Sequence, residues 1–196
     1  LNVPAIRKRR DGTEYSFWQE KFTLEKLYSM RRAMGIVIFN TQMQNDTTLM
    51  VGRMIKADMF ETYKKLPPVN GITVQGIDSA SSGQDKDDYF AHVSLFITKE
   101  PLPKVYLLSY KKAKISVTAQ YEYCERKHKD EDPLRTFVES NAGQAYFAEG
   151  LKSKGLRVQK IFSTKDKVTE MYKVMPIMED KRFFVLEEHA DFVNDM

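Results

Sequence analysis

The chain has 196 residues, 42% hydrophobic and 12% aromatic, enough apolar side chain to build a substantial core, so disorder is not the default reading. Its net charge of +4 permits contact with nucleic acid without establishing it. The single cysteine, Cys124, excludes an internal disulfide and any zinc site of several cysteines, and suits a reducing interior.

In chain order, Arg7, Lys8, Arg9 and Arg10 precede the turn pair Asp11-Gly12, which predicts an arm or linker. The opening turns basic before any hydrophobic region forms, unlike a secretory signal, and no apolar run reaches membrane-spanning length. From Ser16 to Met34, Phe17, Leu24, Leu27, Tyr28 and the Arg31-Arg32 pair recur at helical spacing, with Gly35 as a stop, so one or two short helices are expected. IVIFN reads as a short β-branched run, the polar TQMQNDTT follows, and LPPVNG at 66–71 marks a boundary. Residues 1–66 are expected to be a lead-in and residues 67–196 the main domain.

Three strands are then expected, at 72–78, 89–98 and 104–110. The tight LPK connection between the second and third makes them an antiparallel meander. A helix over 117–128 and the buried strand RTFVES follow. A second helix is predicted with Asn141 as its cap, Ala142, Ala145, Tyr146 and Leu151 on one face, and Lys152, Lys154 and Gly155 at its end. After the strand RVQKIF, a third helix is expected to start near Ser163 or Thr164 and stop at Pro176. It would place Val168, Met171, Tyr172 and Met175 on one face. RFFVL is the last strand, and DFVNDM opens a further helix. The fold class is α/β: a mixed sheet, with an antiparallel three-strand meander plus parallel strands, flanked by helices.

Two acids end apolar runs: Asp78 in ITVQGIDSASSG and Glu139 in RTFVESNAGQA. In such sheets sites form at the carboxyl ends of strands. Two rigidly held carboxylates stay ionised close together only with a cation between them, and all-oxygen donors favour magnesium or manganese. A pair of such ions can assist phosphodiester hydrolysis. Ser79, Ala80, Ser81, Ser82 and Gly83 would leave room for a bulky backbone to approach. The bland alternative is that Asp78 caps a turn and Glu139 faces solvent.

GIDSASSGQDKDDYFAHV, then FVESNAGQAYFAEGL, then STKDKVTEMYKVMPIMEDKRFFVL resembles the carboxyl-terminal nuclease domain of bacteriophage large terminase subunits. FWQEKFTLEKLYSMRRAMG and IFNTQMQND resemble the segment that joins the terminase ATPase domain to its nuclease. The resemblance runs from about residue 17 to the end. It implies an RNase H-like fold and a two-metal endonuclease, using Mg2+ or Mn2+, that cuts concatemeric double-stranded DNA in the host cytoplasm. It also implies the portal, the small terminase subunit and the ATPase domain of the same polypeptide as partners. Asp78 matches the acid on the family's first strand and Glu139 the acid on its fourth. The third acid is expected beyond Met196, with Asp191 and Asp195 as in-chain substitutes; His189 reads as a lone surface histidine, with assistance to those acids as the alternative. Asp85, Asp87 and Asp88 are expected to be solvated turn residues or supporting metal contacts. The glycine-rich ATPase loop ending in Gly-Lys-Ser or Gly-Lys-Thr does not occur, so these residues alone are not expected to hydrolyse ATP.

Lys111, Lys112 and Lys114 are candidate phosphate contacts. Arg126, Lys127 and Lys129, and Lys152, Lys154 and Arg157, form further clusters, with solvated helix ends as the plain alternative. No recognition helix stands out, so cutting with little sequence preference is expected. The other readings are a non-catalytic DNA-gripping or docking module of the packaging motor, and another RNase H-like resolvase or recombinase.

Overall fold

The computed structural model describes residues 3–46, 55–80, 89–140, 145–162, 167–190 and 192. Contacts divide the chain into two units: Leu1–Phe60 with Lys165–Arg182, and Glu61–Thr164 with Phe183–Met196. No helix among the described residues is long and apolar enough to cross a membrane.

The first unit opens with an antiparallel hairpin of β1 (Ile6–Lys8) and β2 (Glu14–Ser16), where the basic opening predicts an arm. Its turn is local chemistry. Gly12 takes φ 85, the Asp11 carboxylate accepts the Thr13 N–H at 2.9 Å, and the Arg9 N–H donates to the Thr13 carbonyl at 2.8 Å. Arg7 and Arg9 lie over the rings of Phe17 and Tyr15, 4.4 and 5.2 Å from their centroids, so these cations are held against aromatic faces.

Helix α1 (Leu24–Met34) is capped by Thr23, whose hydroxyl accepts the Lys26 N–H at 3.2 Å. IVIFN is helical rather than extended: α2 (Ile36–Phe39) continues as a π-turn over Asn40–Gln44. Gly35, at φ 82, ends α1 and lets the helix restart. The restart is favoured because Val37 and Phe39 become buried, and because the Glu179 carboxylate accepts the Ile36 N–H at 2.7 Å. Tertiary burial thus overrides β-branched propensity.

Helix α5 (Lys167–Glu179) runs through Pro176 instead of stopping there. Proline loses its own N–H bond and crowds the carbonyl one turn back, but hydrogen bonding continues after it, with the Asp180 N–H reaching the Pro176 carbonyl at 3.1 Å. Burial of the neighbouring Met175 and Met178 offsets the missing bond. Ile6, Leu27 and Phe39 form a small core in this unit.

The second unit carries a seven-stranded sheet of β3 (Glu61–Tyr63), β4 (Gly71–Asp78), β5 (Phe90–Thr98), β6 (Val105–Ala113), β7 (Arg135–Glu139), β8 (Val158–Ile161) and β9 (Phe183–Leu186). The spatial order is β3-β9-β6-β5-β4-β7-β8. β4, β5 and β6 form the expected antiparallel meander, and the other pairings are parallel. β3 lies ahead of LPPVNG, so the sheet takes a strand from the segment expected to be a lead-in. Tyr63 anchors it, with its ring edge-on to Tyr106 at 5.2 Å and its hydroxyl donating to the Leu107 carbonyl at 2.8 Å.

Helices α3 (Val117–Glu131) and α4 (Ala145–Ser153) bring Tyr123, Cys124, Phe147, Ala148 and Leu151 into one core with Ile77, Phe90, Val138 and Val158. On α4 the buried stripe is Phe147, Ala148 and Leu151, whereas Tyr146, expected on the inner face, is 81% exposed. It lies about 100° of helical rotation from Phe147, outside that stripe.

Under α3 a buried polar row crosses four strands, from Ser109 to Ser94, Gln75 and Thr136, each the Cα partner of the next. Glu131 of α3 completes it, accepting from Ser109 at 2.7 Å, Gln75 at 3.1 Å and Lys127 at 3.0 Å. Burial pushes the Glu131 pKa up, but side-chain hydrogen bonds, those of Ser109, Lys127 and Gln75 among them, outweigh it and hold the carboxyl below its usual range.

His92, on the same side of the sheet, is 3% exposed. It packs edge-on to Tyr123 at 5.2 Å, and neither ring nitrogen has a hydrogen-bond partner among the described residues. Burial pushes its pKa down from 6.5 to about 4, with Lys127 acting in the same sense and Glu131 opposing. The unfolded chain protonates this histidine at a higher pH than the folded protein does. Stability is therefore full above pH 6.5 and falls as the pH drops toward 4, by about 3 kcal/mol for this one group. Urea midpoints measured from pH 7 to pH 4 are expected to trace that fall, and His92→Phe to flatten it; an unchanged slope in the variant would refute the assignment.

Candidate active site

β4 and β7 are neighbouring parallel strands, and their register runs Val74 beside Arg135 through Ile77 beside Val138. One residue further on, Asp78 and Glu139 are the last residues of these two strands, which run about 4.8 Å apart. The pleat turns Ile77 and Val138 into the core under α3 and α4. It therefore turns both acids to the opposite side. Hydrophobic alternation places each acid on the open face, and pairing of two segments far apart in sequence brings them together.

A cavity of about 350 Å³ lies at this strand end, lined by Asp78 and Glu139 together with Tyr110, Lys111, Lys112, Ile161 and Phe192 among others. Tyr110 packs edge-on with Phe192 at 5.0 Å and with His189 at 5.5 Å, forming an aromatic wall. His189 thus packs on Tyr110 and is not among the cavity's lining residues. The turn after Asp78 is held from behind by Gln120 of α3, fully buried, whose amide donates to the carbonyls of Ala80 at 3.0 Å and Ile115 at 3.1 Å. After Glu139, the Ser140 N–H donates to the Ile161 carbonyl at 2.9 Å. Both acids are thereby fixed by a following residue that is buried and hydrogen-bonded.

The lysine group divides across the sheet. Lys111 pairs with His92 and its ammonium lies 4.8 Å from the Tyr123 ring centroid, on the α3 side. Lys112 pairs with Ala91, which pairs with Asp78, so it shares the acids' side. Lys112 and Lys114 lie 5.5 and 5.2 Å from the ring centroid of Tyr89. Period-two alternation along this strand was the available signal for the split. The other clusters are largely paired internally: Lys127 with Glu131, Lys152 with Glu149, Lys154 with Glu125 and Arg157 with Asp132, while Arg126 lies over Tyr123.

The acids' oxygen donors suit a hard divalent cation. Among the described residues, no group of three His, Cys, Asp or Glu side chains is placed to hold a metal ion. Asp85, Asp87, Asp88, Asp191 and Asp195, with Ser81, Ser82, Gly83 and the expected cap Asn141, lie outside the described residues. Sequence reading missed Tyr110, Ile161 and Phe192 as cavity walls and Gln120 as a support, because each acts through a partner far away in the chain.

An antiparallel meander extended on both sides by parallel strands, with helices packed on it and acids at the ends of β4 and β7, is an RNase H-like sheet. Solved structures that share it are phage large terminases and their nuclease domains. The large terminase of a thermophilic bacteriophage is 13% identical with a TM-score of 0.63, over 85% of this chain and 42% of its own. The P22 large terminase nuclease domain is 12% identical with a TM-score of 0.57, over 74% of this chain and 77% of its own. The large terminase nuclease from a thermophilic phage, G20c, with bound magnesium is 11% identical with a TM-score of 0.51, over 73% of this chain and 79% of its own. This chain thus spans less than half the length of the first of these proteins. No family profile and no curated protein sequence matches it.

Proposed function

We infer that this chain is the nuclease portion of a viral DNA-packaging terminase, a metal-dependent endonuclease acting on double-stranded DNA in the host cytoplasm. The observation that carries the reading is that Asp78 and Glu139 end adjacent parallel strands and line one cavity, on a fold shared with terminase nuclease domains. The two carboxylates would hold Mg2+ or Mn2+, in one- or two-ion form, and a third carboxylate would come from residues outside those described, Asp191 and Asp195 being in-chain candidates. A bound divalent ion polarises a phosphodiester and lowers the pKa of water.

The protein's own residues bind and orient. Lys112 and Lys114, on the acids' side of the sheet, neutralise phosphates, and Gln120 holds the turn behind Asp78. Phosphate contacts carry no base information, so cutting is largely independent of sequence. The ATPase domain, portal and small terminase subunit are the partners this reading implies.

Incubation of supercoiled plasmid with the protein and Mg2+ or Mn2+ is expected to give nicked and linear DNA, and excess EDTA to stop it. Absence of cleavage at every metal concentration would overturn the enzyme reading for this chain. A second reading, a DNA-gripping module without catalysis, draws on the lack of a third acid at the site among the described residues. It predicts salt-sensitive DNA binding with no cleavage in the same assay.

A further inference from the structure

We propose that Tyr89 is a stacking residue for an unpaired nucleobase beside the acidic pair, so that the preferred substrate is duplex DNA with a locally unpaired strand. The inference rests on the nuclease reading for its ligand class and goes beyond it in substrate form.

Tyr89 directly precedes β5 and is 50% exposed. Two residues on, Ala91 is the Cα partner of Asp78 on one side and of Lys112 on the other. Alternation along the strand gives Tyr89 and Ala91 the same side of the sheet, the side of the acids. Two residues of rise and one strand spacing separate Tyr89 from Asp78, about 8 Å between backbones. A strand whose phosphate sits at the acids therefore carries a neighbouring base past this ring.

The ammonium groups of Lys112 and Lys114 lie 5.5 and 5.2 Å from the ring centroid. Ala91 between them has only a methyl side chain, which leaves the approach to Asp78 low. A half-exposed aromatic alone is ordinary. An aromatic face joined to two cations on the catalytic side is the combination that binds single strands, the ring stacking a base while the cations take the adjoining phosphates. In a fully paired duplex every base is already stacked, so the ring gains nothing there.

The test measures fluorescence anisotropy in EDTA, where cleavage is off, with a short fully paired duplex and the same duplex carrying a few unpaired nucleotides. The parent is expected to bind the unpaired form about 10-fold more tightly. Tyr89→Ala and Tyr89→Leu should lose most of that preference while binding the paired duplex within about 2-fold of the parent, and Tyr89→Phe should keep it. Lys112→Ala with Lys114→Ala should weaken both forms alike and reduce the salt dependence. Equal affinity of the parent for both forms, an equal loss on both in Tyr89→Ala, or a Tyr89→Phe variant that behaves like Tyr89→Ala would overturn the proposal. Plasmid nicking is scored separately. A parent that prefers the unpaired form yet never nicks upholds the stacking role and sinks the nuclease reading, whereas one that nicks without the preference sinks the stacking role alone.

Discussion

Asp78→Asn is expected to abolish metal-dependent nicking, a fall of at least about 1,000-fold, or about 4 kcal/mol of transition-state stabilisation. Asp78 ends β4, the neighbour of the strand β7 that ends in Glu139, and an amide in its place removes one of the negative charges that attract a divalent ion to this strand end. Glu139→Gln is expected to do the same. Both variants should melt within a few degrees of the parent, because each acid is only half-buried at a strand end and the substitution keeps its size. The measurement is initial nicking rate against Mn2+ concentration, alongside a thermal melt of each protein. Cleavage by Asp78→Asn at the parental rate would mean that the activity belongs to another protein in the preparation. Loss of activity accompanied by a collapse in melting temperature would mean that Asp78 is structural.

Glu131→Ala is expected to cost about 3 kcal/mol of stability, because it strips the shared acceptor from the side chains of Ser109, Gln75 and Lys127. Glu131 is only 12% exposed at its side chain, so little water can replace what is removed. For a chain of this size the loss lowers the melting temperature by roughly 6–12 °C. Glu131→Gln keeps an acceptor for Ser109 and should lose less. The same carboxyl has its pKa held below the usual value, so its contribution is present above the unfolded value of 4.5 and is lost as the pH falls through the lower folded value. His92 acts in the same direction at higher pH, and the two together predict a protein that weakens steadily in acid. A Glu131→Ala protein with parental urea and thermal midpoints would show that the row is not a stabilising unit.

Much of the strand plan was legible in order. Period-two patterning located β4 to β6, and the short Leu-Pro-Lys link between β5 and β6 implied the antiparallel meander that the register displays. Asp78 and Glu139 were visible as acids closing apolar runs because strand ends are local events. IVIFN misled because β-branching is a weak preference, overridden when Val37 and Phe39 gain burial in a helix. Pro176 misled because one missing hydrogen bond does not end a helix that continues into buried Met178. That β3, ahead of LPPVNG, joins the sheet was not legible, because it does so by pairing with β9, more than a hundred residues away in sequence.

Local chemistry alone determined which residues could bear function: two carboxylates at strand ends, lysines clustered at the end of β6, and glycines and caps that bound helices. Tertiary structure decided which of them meet. Parallel pairing of β4 with β7 brings Asp78 and Glu139 to one cavity, and the pleat of β6 sends Lys111 toward α3 and Lys112 toward the acids. The fold also places Glu131 under four strands to complete a polar row that has no signature in linear order. The reason is physical: a side chain's direction follows from its own strand, but its partner follows from register between strands, and register is set by burial of the whole sheet.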